Sequence, residues 1–288
     1  MNTRPSMDTL RARSTRCLAV LLPAALAVGG AWAQVAAPAA PAPAAPANAA
    51  PAQTMPAPAT TATVAPAVAL PVRTLAPFDA RYAVFRDGKP LGDASLQLVS
   101  LANARWRVDL HIEATHGLLG FAGIDLQQST VFDVAGAHYR PLSQSTVRKA
   151  IFSRRMTTGV YDWSHHTARW TGDVKKTRRG EVPLREGDMS GLLINLAVLR
   201  DAAPGATLQY RFVDDGRARD QQYRVAPDRE TQQVDDLSYA ALRVDRVHAG
   251  ADVTTLWVVE DVPMPIRILQ RDDEGGTLEL RLIDYREV

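Results

Sequence analysis

The 288-residue chain carries 33 Lys and Arg against 31 Asp and Glu, a formal net charge of +2. The excess lies at the start: setting aside Arg4, Arg11, Arg13, Arg16 and Asp8 leaves 29 basic against 30 acidic residues, a net charge of −1, which is not the globally basic surface of a nucleic-acid binder. Cys17 is the only cysteine, so the chain beyond it has no disulfide scaffold, thiolate metal site or cysteine nucleophile.

Arg11, Arg13 and Arg16 precede an apolar run of 14 residues, Cys17 to Gly30, and Ala31-Trp32-Ala33 has the small-x-small form of a signal cleavage site. The run is shorter than the roughly 20 residues that span a bilayer. Residues 1–33 are therefore predicted to be a cleaved signal peptide, cut after Ala33, that delivers the chain to the periplasm. Ser14, Thr15 and Arg16 precede Cys17, so it does not close a lipobox. From residue 34 to 76 the chain is nearly all Ala and Pro, with Thr and Val. Proline interrupts both helix and sheet, and alanine buries too little to offset ordering entropy, so this segment is predicted to be a disordered, extended spacer.

Residues 77–288 differ abruptly in composition and read as a single mostly-β domain. Arg81–Phe85 alternates in character and Asp87-Gly88 is a hairpin turn signal. A strand follows over Leu91–Leu101. In Arg105–Ala114, Trp106, Val108, Leu110 and Ile112 share one face, and Arg107, Asp109, His111 and Glu113 the other. Further strands are predicted over 127–134, 141–149, 154–163 and 167–172. Leu192, Leu193, Leu196 and Leu199 then recur at helical spacing. That predicts a helix over about 190–202, capped by Asp188 or Ser190 and stopped by Pro204-Gly205. Strands resume over 207–214, 221–226, 230–234, 240–247, 253–260, 265–270 and 276–285, with turns at Asp215-Gly216, Pro227-Asp228, Gly250 and Gly275-Gly276. Many short strands and one apolar helix predict a curved antiparallel sheet, a half-barrel, with the helix packed on its concave face or plugging its mouth.

The order of these segments carries a resemblance. The domain opens with Phe78-Asp79-Ala80-Arg81-Tyr82-Ala83-Val84-Phe85 and Gly92-Asp93-Ala94. It continues with Val160-Tyr161-Asp162-Trp163 and Gly187-Asp188-Met189-Ser190-Gly191-Leu192-Leu193. It closes with the run from Trp257 to Ile268 and with Gly276-Thr277-Leu278-Glu279-Leu280. This resembles the bacterial domain of unknown function 3108 family across essentially the whole domain. The resemblance implies an exported protein with a curved antiparallel sheet and a helix in its concavity, similar to the periplasmic lipoprotein carriers and lipid-binding half-barrels. It implies no catalytic residues.

Candidate chemistry is sparse. Asp109, His111 and Glu113 share a strand face, as metal ligands could, but spacing two is also that of any solvated strand face. His165 and His166 are adjacent and point apart in extended backbone. No Gly-x-Ser-x-Gly elbow is present, and Ser190 is accounted for as a helix cap. Asp188 with Glu260 or Asp261 would be an acid–base pair only if the fold brought them together. Trp106, Trp163, Trp170, Trp257 and Phe212 fit either a packed core or a lined cavity. Four basic doublets, Arg148-Lys149, Arg154-Arg155, Lys175-Lys176 and Arg178-Arg179, fall within about 30 residues and suit solvated faces or anionic head groups.

The resulting expectation is a periplasmic, non-enzymatic binding module without cofactor, metal or nucleic-acid partner. Leu192, Leu193, Leu196 and Leu199 would line or cover a pocket for a lipid-like ligand, and the basic doublets would meet its head group. The alternative is a structural or assembly factor of the cell envelope with a filled core, acting through protein contacts.

Overall fold

The computed structural model describes residues 75–117, 120, 123–234, 236–247 and 253–288. The predicted signal peptide, all of the spacer but its last two residues and the turn glycine Gly250 lie outside the described residues. Among the described residues, fifteen strands form one sheet. The first eight are β1 (Phe78–Arg86), β2 (Lys89–Leu101), β3 (Arg105–Ala114), β4 (Asp125–Ala135), β5 (His138–Ala150), β6 (Ser153–Asp162), β7 (Thr167–Gly172) and β8 (Val182–Pro183). Then come β9 (Asp188–Met189), helix α1 (Gly191–Asp201), β10 (Thr207–Asp214), β11 (Arg217–Val234) and β12 (Leu237–Val247). The chain ends with β13 (Val253–Val258), β14 (Arg267–Arg271) and β15 (Thr277–Glu287).

Each strand from β1 to β8 pairs with the next, as does each from β9 to β15, and β1 joins β15 to unite the two runs. All pairs are antiparallel except β9 with β10. The sheet is open and curved, and its edges, β8 and β9, are two residues each. Short edges, with Pro183 on one of them, offer little template for intermolecular pairing.

The hairpin signals hold where their chemistry is specific. Asp87 and Gly88, and Asp215 and Gly216, all have positive φ, as the tight two-residue turn between twisted strands requires. Pro227-Asp228 is a correction. It does not end a strand: β11 runs through it for 18 residues, and the register with β12 jumps between Val225 and Arg229. Proline has no N–H for the ladder, so the chain bulges outward there and resumes pairing. Trp163, taken as the end of a strand, lies one residue beyond β6.

The concave face is where the helix sits. Val108, Leu110 and Ile112 of β3 are buried, with Trp106 half-buried on the same face, as the alternation predicted. α1 packs against β3, β4, β5 and β10. It is buried on more than one side: Ile194, Ala197 and Val198 are as inaccessible as Leu193, which is the pattern of a helix inside a core and not of an amphipathic helix lying on one. The predicted cap is also corrected. Ser190 occupies the N-cap position but makes no side-chain cap bond; its hydroxyl meets that of Thr130 at 3.0 Å. A smaller core joins Tyr161, Ala168, Trp170, Val174, Val182, Leu184 and Val213. Through it the sheet curls until β6 meets β10, where Tyr161 Oη donates to the Val213 carbonyl at 2.7 Å.

Candidate functional site

Because α1 fills the concavity, Leu192 and Leu193 are spent on packing. Leu196 and Leu199, one and two turns on, reach the rim. There they help line a cleft of about 200 Å³ with Phe78, Leu98, Tyr139 and Val262. Its floor is apolar and its mouth is charged: Arg200, Glu260, Asp261 and Glu287 border it. Arg200 is already committed. It donates to both carboxylate oxygens of Asp201, at 2.6 and 2.8 Å, and to the Ala137 carbonyl, and its guanidinium lies 4.7 Å from the centre of the Tyr139 ring. Asp201 holds the Arg200 pKa above its ordinary value, and burial pushes the Tyr139 phenol upward. The mouth is therefore not a waiting anion site.

Tyr139 also borders a second cleft, of about 230 Å³, with His138, Arg140, Trp163, His166 and Asp188. Asp188 is wholly buried at its base, ion-paired with Arg211 and accepting the Arg185 backbone N–H at 2.8 Å. This helps fix the turn that leads into β9 and α1. Asp188 lines the second cleft while Glu260 and Asp261 line the first, so the carboxyls considered as an acid–base pair do not share a cleft. His165 is bound 2.7 Å from Asp162 in the exposed β6–β7 turn. On β3, Asp109 accepts from Arg107 at 2.7 Å, His111 stands 3.3 Å from Asp125 and Glu113 is exposed.

The basic doublets do come together, at the other end of the strands. Arg148 faces Arg155 and Lys149 faces Arg154 across the β5–β6 ladder. Gly172 pairs with Thr157, and Asp173 Oδ2 accepts the Met156 N–H at 2.7 Å. The segment carrying Lys175, Lys176, Arg178 and Arg179 thus starts beside the same hairpin. Four of the eight side chains are tied down: Lys149 to Asp125 at 3.0 Å, Arg178 to Asp215, Arg179 to the Val174 carbonyl, and Arg148 packed half-buried beside Asp214 and Asp215, where burial lowers its pKa. Arg154, Arg155, Lys175 and Lys176 are exposed. Arg217 and Arg219 of β11 join this group, interacting with Asp215 and, for Arg219, with Asp214. Both sit on a strand distant in sequence from the doublets, so local pattern does not reveal them. Ile151 and Phe152, the two residues at the β5–β6 turn, also belong to this end of the sheet. Both are exposed, and the signal that could have found them was an apolar pair where turn chemistry asks for Gly, Asn or Asp.

Strand β5 separates the two ends. Tyr139 borders the clefts, and Arg148 is nine residues further along the same strand, about 30 Å away at 3.3 Å per residue. The cleft and the basic end are two separate sites on opposite ends of the sheet.

A family model described as a protein of unknown function (DUF3108) matches residues 78–282. Among solved structures, a β-barrel-like protein of the domain of unknown function DUF1849 from Brucella abortus is similar at 10% identity and a TM-score of 0.47, over 74% of this chain and 98% of that one. A DUF1089 family protein from Pseudomonas aeruginosa is similar at 11% identity and a TM-score of 0.32, over 64% and 88%. No curated protein matches.

Proposed function

The chain belongs to the DUF3108 family, and we propose that its domain is a non-enzymatic, periplasmic binding module for a lipid-like ligand, exported by a signal peptide cut after Ala33. The observation that carries this reading is the rim cleft: an apolar floor made in part by Leu196 and Leu199, open at a polar mouth. Sites that engulf a whole ligand run to roughly 300–1,000 Å³. A cleft of about 200 Å³ suits one apolar end of an amphipathic molecule. Leu192 and Leu193 are buried in the core and do not line the cleft. The basic doublets, some 30 Å away by strand length, then act as a separate contact for anionic head groups and not on the ligand held in the cleft.

The test is lipid mass spectrometry on protein purified natively from the periplasm, against a mock purification. We expect a stoichiometric apolar or amphipathic molecule that disappears with Leu199→Asp, and a mature N-terminus at Gln34. A folded protein that carries no such molecule, or keeps it in Leu199→Asp, would overturn the cleft assignment.

A second reading has its own support. Leu193, Ile194, Ala197 and Val198 are at most 1% exposed, the filled interior of a structural or assembly factor that works through protein contacts. A lipid-free protein that captures a defined envelope partner through crosslinking would favour it.

A further inference from the structure

We propose that the β5–β6 hairpin is a membrane-docking element, whose Ile151-Phe152 tip enters an anionic bilayer while the cations behind it bind the head groups. This rests on the reading of the basic end as an anionic contact and is independent of whether the rim cleft is occupied.

Residues 151–156, Ile-Phe-Ser-Arg-Arg-Met, are exposed without interruption. Phe152 is 97% exposed, Ile151 59% and Met156 46%. Nothing in the turn itself calls for these side chains. The other two-residue turns described above are Asp-Gly with positive φ at both positions, whereas neither Ile151 nor Phe152 has positive φ. A phenylalanine in water at a turn apex contributes nothing to the core, and exposed apolar groups rimmed by charge mark interaction surfaces.

What stands behind the tip sets the kind of partner. Arg148 opposite Arg155, and Lys149 opposite Arg154, place like charges directly across a ladder, an arrangement that is unfavourable alone. The nearby acids do not balance the exposed cations. Asp125 is taken by Lys149, Asp215 by Arg178, Asp214 is buried, and Asp173, which accepts the Met156 amide, sets one negative charge against four exposed cations. Arg154, Arg155, Lys175 and Lys176 are left facing solvent around two apolar side chains. An apolar tip with a basic collar is complementary to a bilayer that offers hydrocarbon beneath a layer of anionic head groups. A soluble anion would use the collar and leave the tip in water.

The experiment is co-sedimentation of the purified mature chain, beginning at Gln34, with vesicles of phosphatidylethanolamine and phosphatidylglycerol, against phosphatidylcholine alone, at low and physiological salt. Each basic residue at an anionic surface contributes roughly fivefold in partitioning, and insertion of a phenylalanine roughly tenfold or more. We expect salt-sensitive binding to the anionic vesicles only. Phe152→Ser should weaken it about tenfold or more, and the pair Arg154→Glu with Arg155→Glu about 25-fold or more. These residues lie outside the core, so thermal unfolding should stay unchanged. A nitrobenzoxadiazole label on Ser153→Cys, the single cysteine of that mature chain, should brighten and shift to the blue on the same vesicles. Equal binding to phosphatidylcholine, undiminished binding by Phe152→Ser, or a label that stays in water would overturn the proposal. Binding that ignores Phe152→Ser and is matched by a soluble polyanion would point to a soluble ligand instead. None of these results depends on lipid in the rim cleft, so the two readings fail separately.

Discussion

Asp214 ends β10 with a carboxyl that faces inward, hydrogen-bonded to Gln144 of β5 and to the Asp215 amide at 2.8 Å. Burial is the main reason its pKa is raised from 3.8 to about 6; the Gln144 bond and Arg148 oppose the rise, and Asp215 adds to it. Below about pH 4 the group is protonated both folded and unfolded. Between about 4 and 6 only the folded chain keeps the proton, so this contribution to stability is full at low pH and is lost as pH rises through 6. The shift corresponds to about 3 kcal/mol at most. We therefore expect urea unfolding to show wild type losing about 2–3 kcal/mol relative to Asp214→Asn between pH 4 and pH 7. Parallel pH profiles would show that the carboxyl is solvated. None of this was legible in the sequence, where an aspartate before Asp-Gly reads as part of a wet turn. Its burial comes from β5 and β6 curling over β10, a contact across about 70 residues that local pattern does not encode.

At the scale of elements, the sequence was most informative where period and turn chemistry agree. The alternation of Arg105–Ala114 gave both the strand and its buried face, and the Asp-Gly pairs gave two hairpins. The apolar helix was legible from its leucines, but its surroundings were not. Helical spacing of Leu192, Leu193, Leu196 and Leu199 suggests one apolar face, while Ile194, Ala197 and Val198 close the other side. Only a sheet curled on itself can bury both. Leu193→Ala should therefore cost about 2–5 kcal/mol, as large-to-small changes in a filled core do, while Leu199→Ala, beside the rim cleft, should fall at or below the low end of that range. Equal losses in chemical denaturation would mean that the cleft is as tightly packed as the core. The smaller core has a comparable constraint. A Cβ at Gly159 would stand 2.5 Å from the Trp170 Nε1, so Gly159→Ala should destabilise by about 1–3 kcal/mol through overpacking. A neutral result would show that the indole can shift aside.

The sheet as a whole is a meander whose long-range join is β1 with β15. Phe78 pairs with Glu287, and the Val288 N–H donates to the Pro77 carbonyl at 3.1 Å, so the two ends of the domain meet side by side. The two sheet edges, β8 and β9, are close in sequence but do not pair with each other. The segment between them includes exposed Arg185 and Glu186. This arrangement makes the β1–β15 join expensive during folding, because its loop is nearly the full length of the domain and closure entropy grows with loop length. A circular permutant that links Val288 to Pro77 through about four Gly/Ser residues and opens between Arg185 and Glu186 converts that join into a hairpin. It breaks no strand pair, though it loosens the turn in which Asp188 accepts the Arg185 amide and donates its own N–H to the Arg185 carbonyl at 3.1 Å. Two such bonds are worth about 1–3 kcal/mol, or a fall of up to roughly 10 °C in Tm for a domain of this size. Refolding after denaturant dilution should nevertheless be faster than for the parent, since contact order falls while the pairings stay the same. Slower refolding would mean that the nucleus lies at the β8–β9 turn and the entry to α1, so that Asp188 and its two arginine partners organise the fold before the sheet closes.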